Sequence, residues 1–217
     1  MFRQTLFTQW KWARLELVFY VLTAFGVPAI LINVRPYFGY DSSVTGWMEV
    51  SKLGALFFIS LAFVCGTSLA AGPWGKDNSG RHIYAMSLPV AWPTFVRLRF
   101  LAGATLLAVP AVALFLGSLV AAASANLPAT LHAYPAGITL RWYLSALLFY
   151  GLAFALQYLA GRSAAKVAVI IMFAVGAVEI AAQLVGFHSP TAALWMLLTS
   201  WPGPLDTLTA RWMLIDV

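Results

Sequence analysis

The chain has 217 residues with a mean hydropathy of +0.85; 62% of its residues are hydrophobic and only 9% are charged. Because soluble domains carry about 25% charged residues, this composition excludes an ordinary soluble domain and predicts an integral membrane protein. The formal net charge of +6 fits membrane topology and attraction to anionic membrane lipids, so it predicts no nucleic-acid partner.

The apolar residues form continuous runs of about 20 residues, the length that a helix needs to cross the hydrocarbon core of a bilayer. A transmembrane barrel would instead show short segments of alternating polarity. We therefore predict an all-α, polytopic bundle of transmembrane helices that forms a single transmembrane domain over residues 1–217. Five spans are predicted, at 15–34, 49–72, 100–124, 142–160 and 167–187.

The segments at either end of this series are less regular. Residues 1–14 interleave aromatic and basic side chains, which is typical of a helix lying among lipid headgroups, so we predict an N-terminal interfacial helix. Residues 188–205 contain an apolar stretch that Pro202, Gly203 and Pro204 interrupt. This pattern predicts a broken helix, a re-entrant hairpin or a short sixth span. Other tryptophans fall near predicted span ends, where we expect an aromatic belt: Trp47, Trp74, Trp92, Trp142, Trp195 and Trp201.

Basic residues are distributed unequally between the two sides of the predicted membrane. Lysine and arginine concentrate in cytoplasmic loops, so we predict a cytoplasmic N-terminus in a protein of the cytoplasmic (plasma) membrane. The nine basic residues assigned to the cytoplasmic side are Arg3, Lys11, Arg14, Lys76, Arg81, Arg97, Arg99, Arg162 and Lys166. The three assigned to the opposite side are Arg35, Lys52 and Arg141.

Residue types that carry catalysis are scattered along the chain. His82, His132 and His188 fall in three different connections, and Cys65 is the single cysteine. This spacing offers neither a metal-ligand set nor a haem pair. Lys76 is followed by Asp77 where a phosphate-binding loop needs serine or threonine. We therefore predict no catalytic residue, no metal site, no cofactor and no enzyme activity in this chain.

The connection at 73–99, predicted to be cytoplasmic, carries the most information. Asp77 is followed by Gly80 and by a short amphipathic run. Pro89 would end a helical run just before it, whereas Pro93 can begin the next helix, since a proline in the first turn loses no needed donor. The pattern predicts a short cytoplasmic helix joined at both ends to transmembrane helices. A basic loop that lies on headgroups is the alternative.

This stretch resembles the coupling helix of permease subunits of type-2 ATP-binding cassette exporters. In that family an acid, a glycine and an apolar run ending in a tripeptide like Leu88-Pro89-Val90 contact the ATPase, and a basic residue follows as the third span begins. The family also has six spans, an interfacial N-terminal helix and a broken hairpin before the last span. Arg81 departs from the pattern, because threonine is frequent there.

The resemblance implies that the chain is a permease subunit without an ATPase site. It would bind a cytoplasmic ATP-binding cassette ATPase, on which ATP and Mg are held, and pair with a second permease subunit, identical or different. The residues that the resemblance assigns to coupling with the ATPase are Asp77, Gly80, Arg81, Ile83, Tyr84, Met86, Leu88 and Pro89.

A second group of polar residues lies within the predicted spans. Glu179 falls near the middle of the fifth run, and Gln183 follows one turn later on the same face. A carboxyl group in a bilayer must face protein or water, because facing lipid is costly. It belongs either to a translocation surface or to a polar contact between helices, with Gln157 of the fourth run as a candidate partner.

Two functions of other classes stay open. A membrane-embedded, lipid-modifying enzyme should cluster acids or histidines at the membrane surface, where the sequence offers Asp41 and Glu49. A non-transporting membrane scaffold needs no ordered coupling element.

Overall fold

A computed structural model describes residues 1–34, 39, 43–79, 91–125, 130–160, 163–185 and 214–216. These residues are almost entirely helical. The elements in chain order are α1 (Phe2–Val34), α2 (Val44–Ser79), α3 (Trp92–Ser124), β1 (His132–Ala133), α4 (Pro135–Ala160), α5 (Ala164–Val185) and β2 (Ile215–Asp216).

Four of the described helices are long and apolar enough to cross a membrane, and the described residues confirm the predicted all-α class. Their apolar sections are Phe2–Asn33, Gly54–Lys76, Trp92–Ser124 and Pro135–Ala160. The fifth predicted run forms α5, whose apolar section within the described residues, Lys166–Val178, is shorter. The predicted broken or re-entrant segment at 188–205 lies outside the described residues.

All four long helices extend further than the apolar runs predict. The predicted interfacial helix at 1–14 and the first span are one continuous helix, α1, because no proline or glycine separates them. α2 continues through Pro73 to Ser79, so Asp77 lies in its last turn. α3 begins at Trp92 with proline in its first turn, as predicted for Pro93. The connection predicted at 73–99 is therefore helical at both of its ends.

The chain divides into two compact units, Met1–Phe154 with Arg211–Val217, and Ala155–Ala210. Within the first unit, helices that follow one another in the chain alternate in direction. Tyr20 of α1 hydrogen-bonds Ser68 of α2 over 2.7 Å, and Lys76, later in α2, contacts Trp12, earlier in α1. α2 is thus antiparallel to α1.

The contacts of α3 complete this arrangement. Gln9 of α1 bonds Arg99 near the start of α3, whereas Gly117, two turns from its end, meets Phe25 of α1. α3 is therefore parallel to α1. The Tyr143 hydroxyl of α4 donates to the carbonyl of Ala104 over 3.2 Å, and α4 runs antiparallel to α3. This alternation is the one expected for consecutive membrane spans.

Glycines allow these helices to approach closely. A methyl group added at Gly117 would collide with the carbonyl oxygen of Phe25 and lie 2.8 Å from its Cα. A methyl group at Gly66 of α2 would lie 2.5 Å from the Ala146 carbonyl oxygen of α4. Transmembrane helices associate largely through van der Waals packing, which such contacts maximise.

A pair of short strands lies at the end of the first unit away from the contact between Lys76 and Trp12. β1 and β2 pair in antiparallel fashion, with His132 opposite Asp216, and the Tyr134 amide donates to the carbonyl of Leu214 over 2.9 Å. Leu214 and Ile215 are buried and line a small cavity with Pro28 of α1. This end lies at the C-terminus of α1 and the N-terminus of α2.

We expect Gly117→Ala to lower the free energy of unfolding of the purified chain in detergent by about 1–3 kcal/mol, the usual cost of overpacking. The added methyl group must displace the backbone of Phe25. Gly151→Ala is the matched control, since nothing lies within 4 Å of its added methyl group, and it should be neutral or slightly stabilising. Equal unfolding temperatures for the two variants would contradict the close contact of α1 and α3.

The predicted orientation can be measured at two positions that the fold separates. Ser79 ends α2 near the contact between Lys76 and Trp12, whereas Thr130 precedes β1 at the opposite end. With Cys65 replaced by alanine, an impermeant maleimide should label Thr130→Cys in intact cells. It should label Ser79→Cys only after permeabilisation. Labelling of Ser79→Cys from outside would overturn the cytoplasmic N-terminus.

Candidate functional site

A buried arginine lies where α3 leaves the predicted cytoplasmic surface. Arg99 is 2% exposed, and its guanidinium carbon lies 4.4 Å from the ring centroid of Trp74 on α2. The ring of Phe95, one turn earlier on α3, lies 5.7 Å from the same carbon. A buried charge is costly without compensating contacts, and a planar guanidinium gains from stacking on aromatic faces. The two rings therefore help to stabilise the cation.

The backbone of Arg99 receives contacts from two further helices. The Gln9 side-chain amide of α1 donates to the Arg99 carbonyl over 3.1 Å. The Tyr150 hydroxyl of α4 lies 3.4 Å from the same carbonyl oxygen and 3.3 Å from that of Phe100. We call Gln9, Trp74, Phe95, Arg99 and Tyr150 the Arg99 cluster; they bring four helices together at one level.

Aromatic contacts extend the Arg99 cluster to both ends of the connection at 80–91. The rings of Trp74, near the end of α2, and Trp92, the first residue of α3, are 6.4 Å apart. Trp92 also lies 5.7 Å from Phe95, and Phe154 of α4 lies 5.6 Å from Trp74. Trp74 meets Trp92 and Phe154 edge to face, whereas the rings of Trp92 and Phe95 are tilted by 31°. Aromatic pairs contribute about 0.5–1.5 kcal/mol each. The residues on either side of the connection therefore belong to one group of contacting aromatic rings.

Lys76 attaches the last turns of α2 to α1. Its ammonium group donates to the Trp12 carbonyl over 2.8 Å and lies 5.9 Å from the centre of the Trp12 ring. Since Lys76 is exposed, this contact adds little to the free energy of folding. Its effect is to position the end of α2 against α1. The predicted interfacial part of α1 is therefore joined to α2 at Trp12 and to α3 at Gln9.

Of the coupling residues that the family resemblance predicts, only Asp77 lies among the described residues. Asp77 lies in the last turn of α2. The others lie outside the described residues: Gly80, Arg81, Ile83, Tyr84, Met86, Leu88 and Pro89. Trp74 precedes this segment and Trp92 follows it, so the described contacts concern its two attachment points.

The polar residues predicted in the fourth and fifth spans lie on α4 and α5. Gln157 is half-buried on α4, and Glu179 and Gln183 belong to α5, where only the helix at their positions is described. Whether the three side chains meet stays a prediction. Among the described residues, no three histidine, cysteine, aspartate or glutamate side chains gather in a group that could hold a metal ion.

The tryptophans near span ends are predicted to form an aromatic belt. For three of them this prediction is wrong. Trp47, Trp74 and Trp142 are 2%, 3% and 0% exposed, so protein covers them. The spacing of Phe95 and Arg99, four residues apart on one helix face, was the available signal for a stacked arginine. Nothing in the sequence shows that Trp74 and Gln9 meet it.

Comparison with models of protein families, with curated proteins and with solved structures finds no match to this chain.

Arg99→Lys should lower the free energy of unfolding in detergent by about 1–2 kcal/mol. The compact ammonium group loses the stacked geometry while staying charged and buried. Arg97→Lys is the matched control, because Arg97 lies two residues earlier on the same helix and is exposed; its effect should stay within about 0.5 kcal/mol. Thermal unfolding of both variants gives the comparison. Equal shifts would show that stacking on Trp74 contributes nothing.

Proposed function

We propose that this chain is the transmembrane permease subunit of an ATP-binding cassette exporter. A separate cytoplasmic ATPase would hydrolyse ATP, and the chain would convert that work into substrate movement across the membrane. The observation that carries the proposal is the Arg99 cluster. It joins the attachment points of the segment resembling a coupling helix to the four helices that the structure describes in the first unit.

This geometry suits the transmission of a mechanical signal. A force on residues 80–90 acts first on the ends of α2 and α3. Because Trp74 packs on Trp92 and Arg99, the two ends move together instead of separating. Gln9 and Tyr150 then extend that motion to α1 and α4. Packed elements of this kind respond by shifting as rigid bodies.

The packing of the first unit favours a pathway shared with a second permease subunit. Trp142, Tyr150 and Phe58 are at most 2% exposed and fill its interior. Since large side chains occupy the space between these helices, a substrate would need a surface formed with another chain. Glu179 and Gln183 are candidates for that surface, because a carboxyl group in a membrane must face protein or water.

The decisive test concerns the apolar residues of the connection. Full-length tagged chain is purified from membranes, and the bound cassette ATPase is identified by mass spectrometry and by Mg-dependent ATP hydrolysis. Met86→Asp combined with Leu88→Asp should abolish co-purification while the chain still inserts. Unpaired charge in a desolvated interface costs on the order of 2–5 kcal/mol.

The control for this test is Ser87→Asp, which adds a charge between Met86 and Leu88 without removing an apolar side chain. It should retain more ATPase than the double variant. A double variant that keeps a stoichiometric ATPase and coupled hydrolysis would refute the proposal. A scaffold, or an enzyme acting on lipid, predicts that no ATPase depends on these residues.

A further inference from the structure

A groove lies beside the N-terminal part of α1, at the end of the first unit that holds the Arg99 cluster. Its volume is about 530 Å³. The described residues that line it are Arg3, Gln4, Leu6, Phe7, Trp10 and Leu106. All but the last come from α1, and Leu106 comes from α3.

The groove changes from polar to apolar along its length. Arg3 is exposed, whereas Leu106 is 5% exposed and forms part of the floor. α1 and α3 are parallel and meet at Gln9 and Arg99, so the helical rise separates Arg3 from Leu106 by about 20 Å along the axes.

The walls between these two ends are apolar and open. Phe7 is 66% exposed and Trp10 is 41% exposed, and Leu6 lies beside them. Large aromatic side chains with this exposure on a basic helix are typical of contact with the headgroup and upper acyl region of a bilayer. Water alone would be an unfavourable neighbour for them.

The described side chains at this end of the unit carry a net positive charge. Glu16 is the one acid whose side chain is described there. The exposed basic residues are Arg3, Lys11, Arg14, Lys76 and Arg97. Anionic headgroups are attracted to such a surface at about 1 kcal/mol per basic residue.

We infer that the groove binds one anionic phospholipid, with its phosphate at Arg3 and an acyl chain along the apolar walls toward Leu106. A free phosphate would use only the Arg3 end, and a zwitterionic lipid would gain less from the surrounding cations. The bound lipid would fill the crevice between α1 and α3. The inference requires neither an ATPase nor transport, so it stands apart from the proposed function.

The test uses the full-length chain, purified in detergent and stripped of lipid. Dioleoylphosphatidylglycerol or dioleoylphosphatidylcholine is added, and native mass spectrometry measures the lipid that stays bound. The wild-type chain should retain one phosphatidylglycerol in preference to phosphatidylcholine. Arg3→Gln should weaken phosphatidylglycerol binding about fivefold, the effect of one basic residue near the headgroup.

The matched control is Lys11→Gln, which removes the same charge from an exposed position of α1 outside the groove. It should retain the lipid nearly as well as wild type. Equal losses in the two variants would show only general attraction to a basic surface and would overturn the site.

Two further outcomes also count against the inference. Equal binding of phosphatidylcholine would show that charge plays no part. Displacement of phosphatidylglycerol by an equal concentration of glycerol 3-phosphate would show that the apolar walls contribute nothing. Because Arg3 is exposed, Arg3→Gln should leave the fold intact, and its unfolding temperature in the absence of lipid verifies this.

Discussion

A guanidinium group can stay inside a helical bundle only if the groups around it compensate for the water it has lost. Arg99 meets this condition with the ring of Trp74 4.4 Å away and with Phe95 on its own helix. The requirement constrains much else at this end of the molecule. α2 must extend far enough to include Trp74, and α3 must begin early enough for Arg99 to contact the ring of Trp74. Both helices therefore continue beyond their apolar runs.

Close helix packing supplies the second constraint. Since lipid is as apolar as the helix surfaces, burial of apolar area alone does not hold transmembrane helices together, and backbone proximity becomes important. Gly117 against Phe25 and Gly66 against Ala146 provide that proximity. They fix α1 on α3 and α2 on α4, so that the hydrogen bonds of Gln9 and Tyr150 can reach the Arg99 backbone.

The same end of the unit carries cations in two different environments. Arg99 is inside and interacts with aromatic rings, whereas Arg3 and Lys76 are exposed. The internal cation ties helices to one another, and the external ones favour an anionic surface. Under the proposed function, this end of the chain would keep a constant depth while an ATPase acts on the connection at 80–90. The proposed function and the proposed lipid site therefore complement each other, although neither depends on the other.

Composition and run length alone predicted an all-α chain with helices long enough to cross a membrane, because a bilayer tolerates few ways to satisfy backbone hydrogen bonds. The same information placed the ends of α1, α3 and α4 correctly at residues 34, 124 and 160, and anticipated the start of α3 near Pro93. It did not show that α1 is continuous from Phe2, nor that Trp47, Trp74 and Trp142 are covered by protein. Those outcomes depend on which helix faces meet, and a low-polarity sequence marks its lipid-facing and protein-facing sides almost identically. Only the tertiary structure brings Gln9, Trp74 and Tyr150 to Arg99, since the three residues come from separate helices and no local pattern links them.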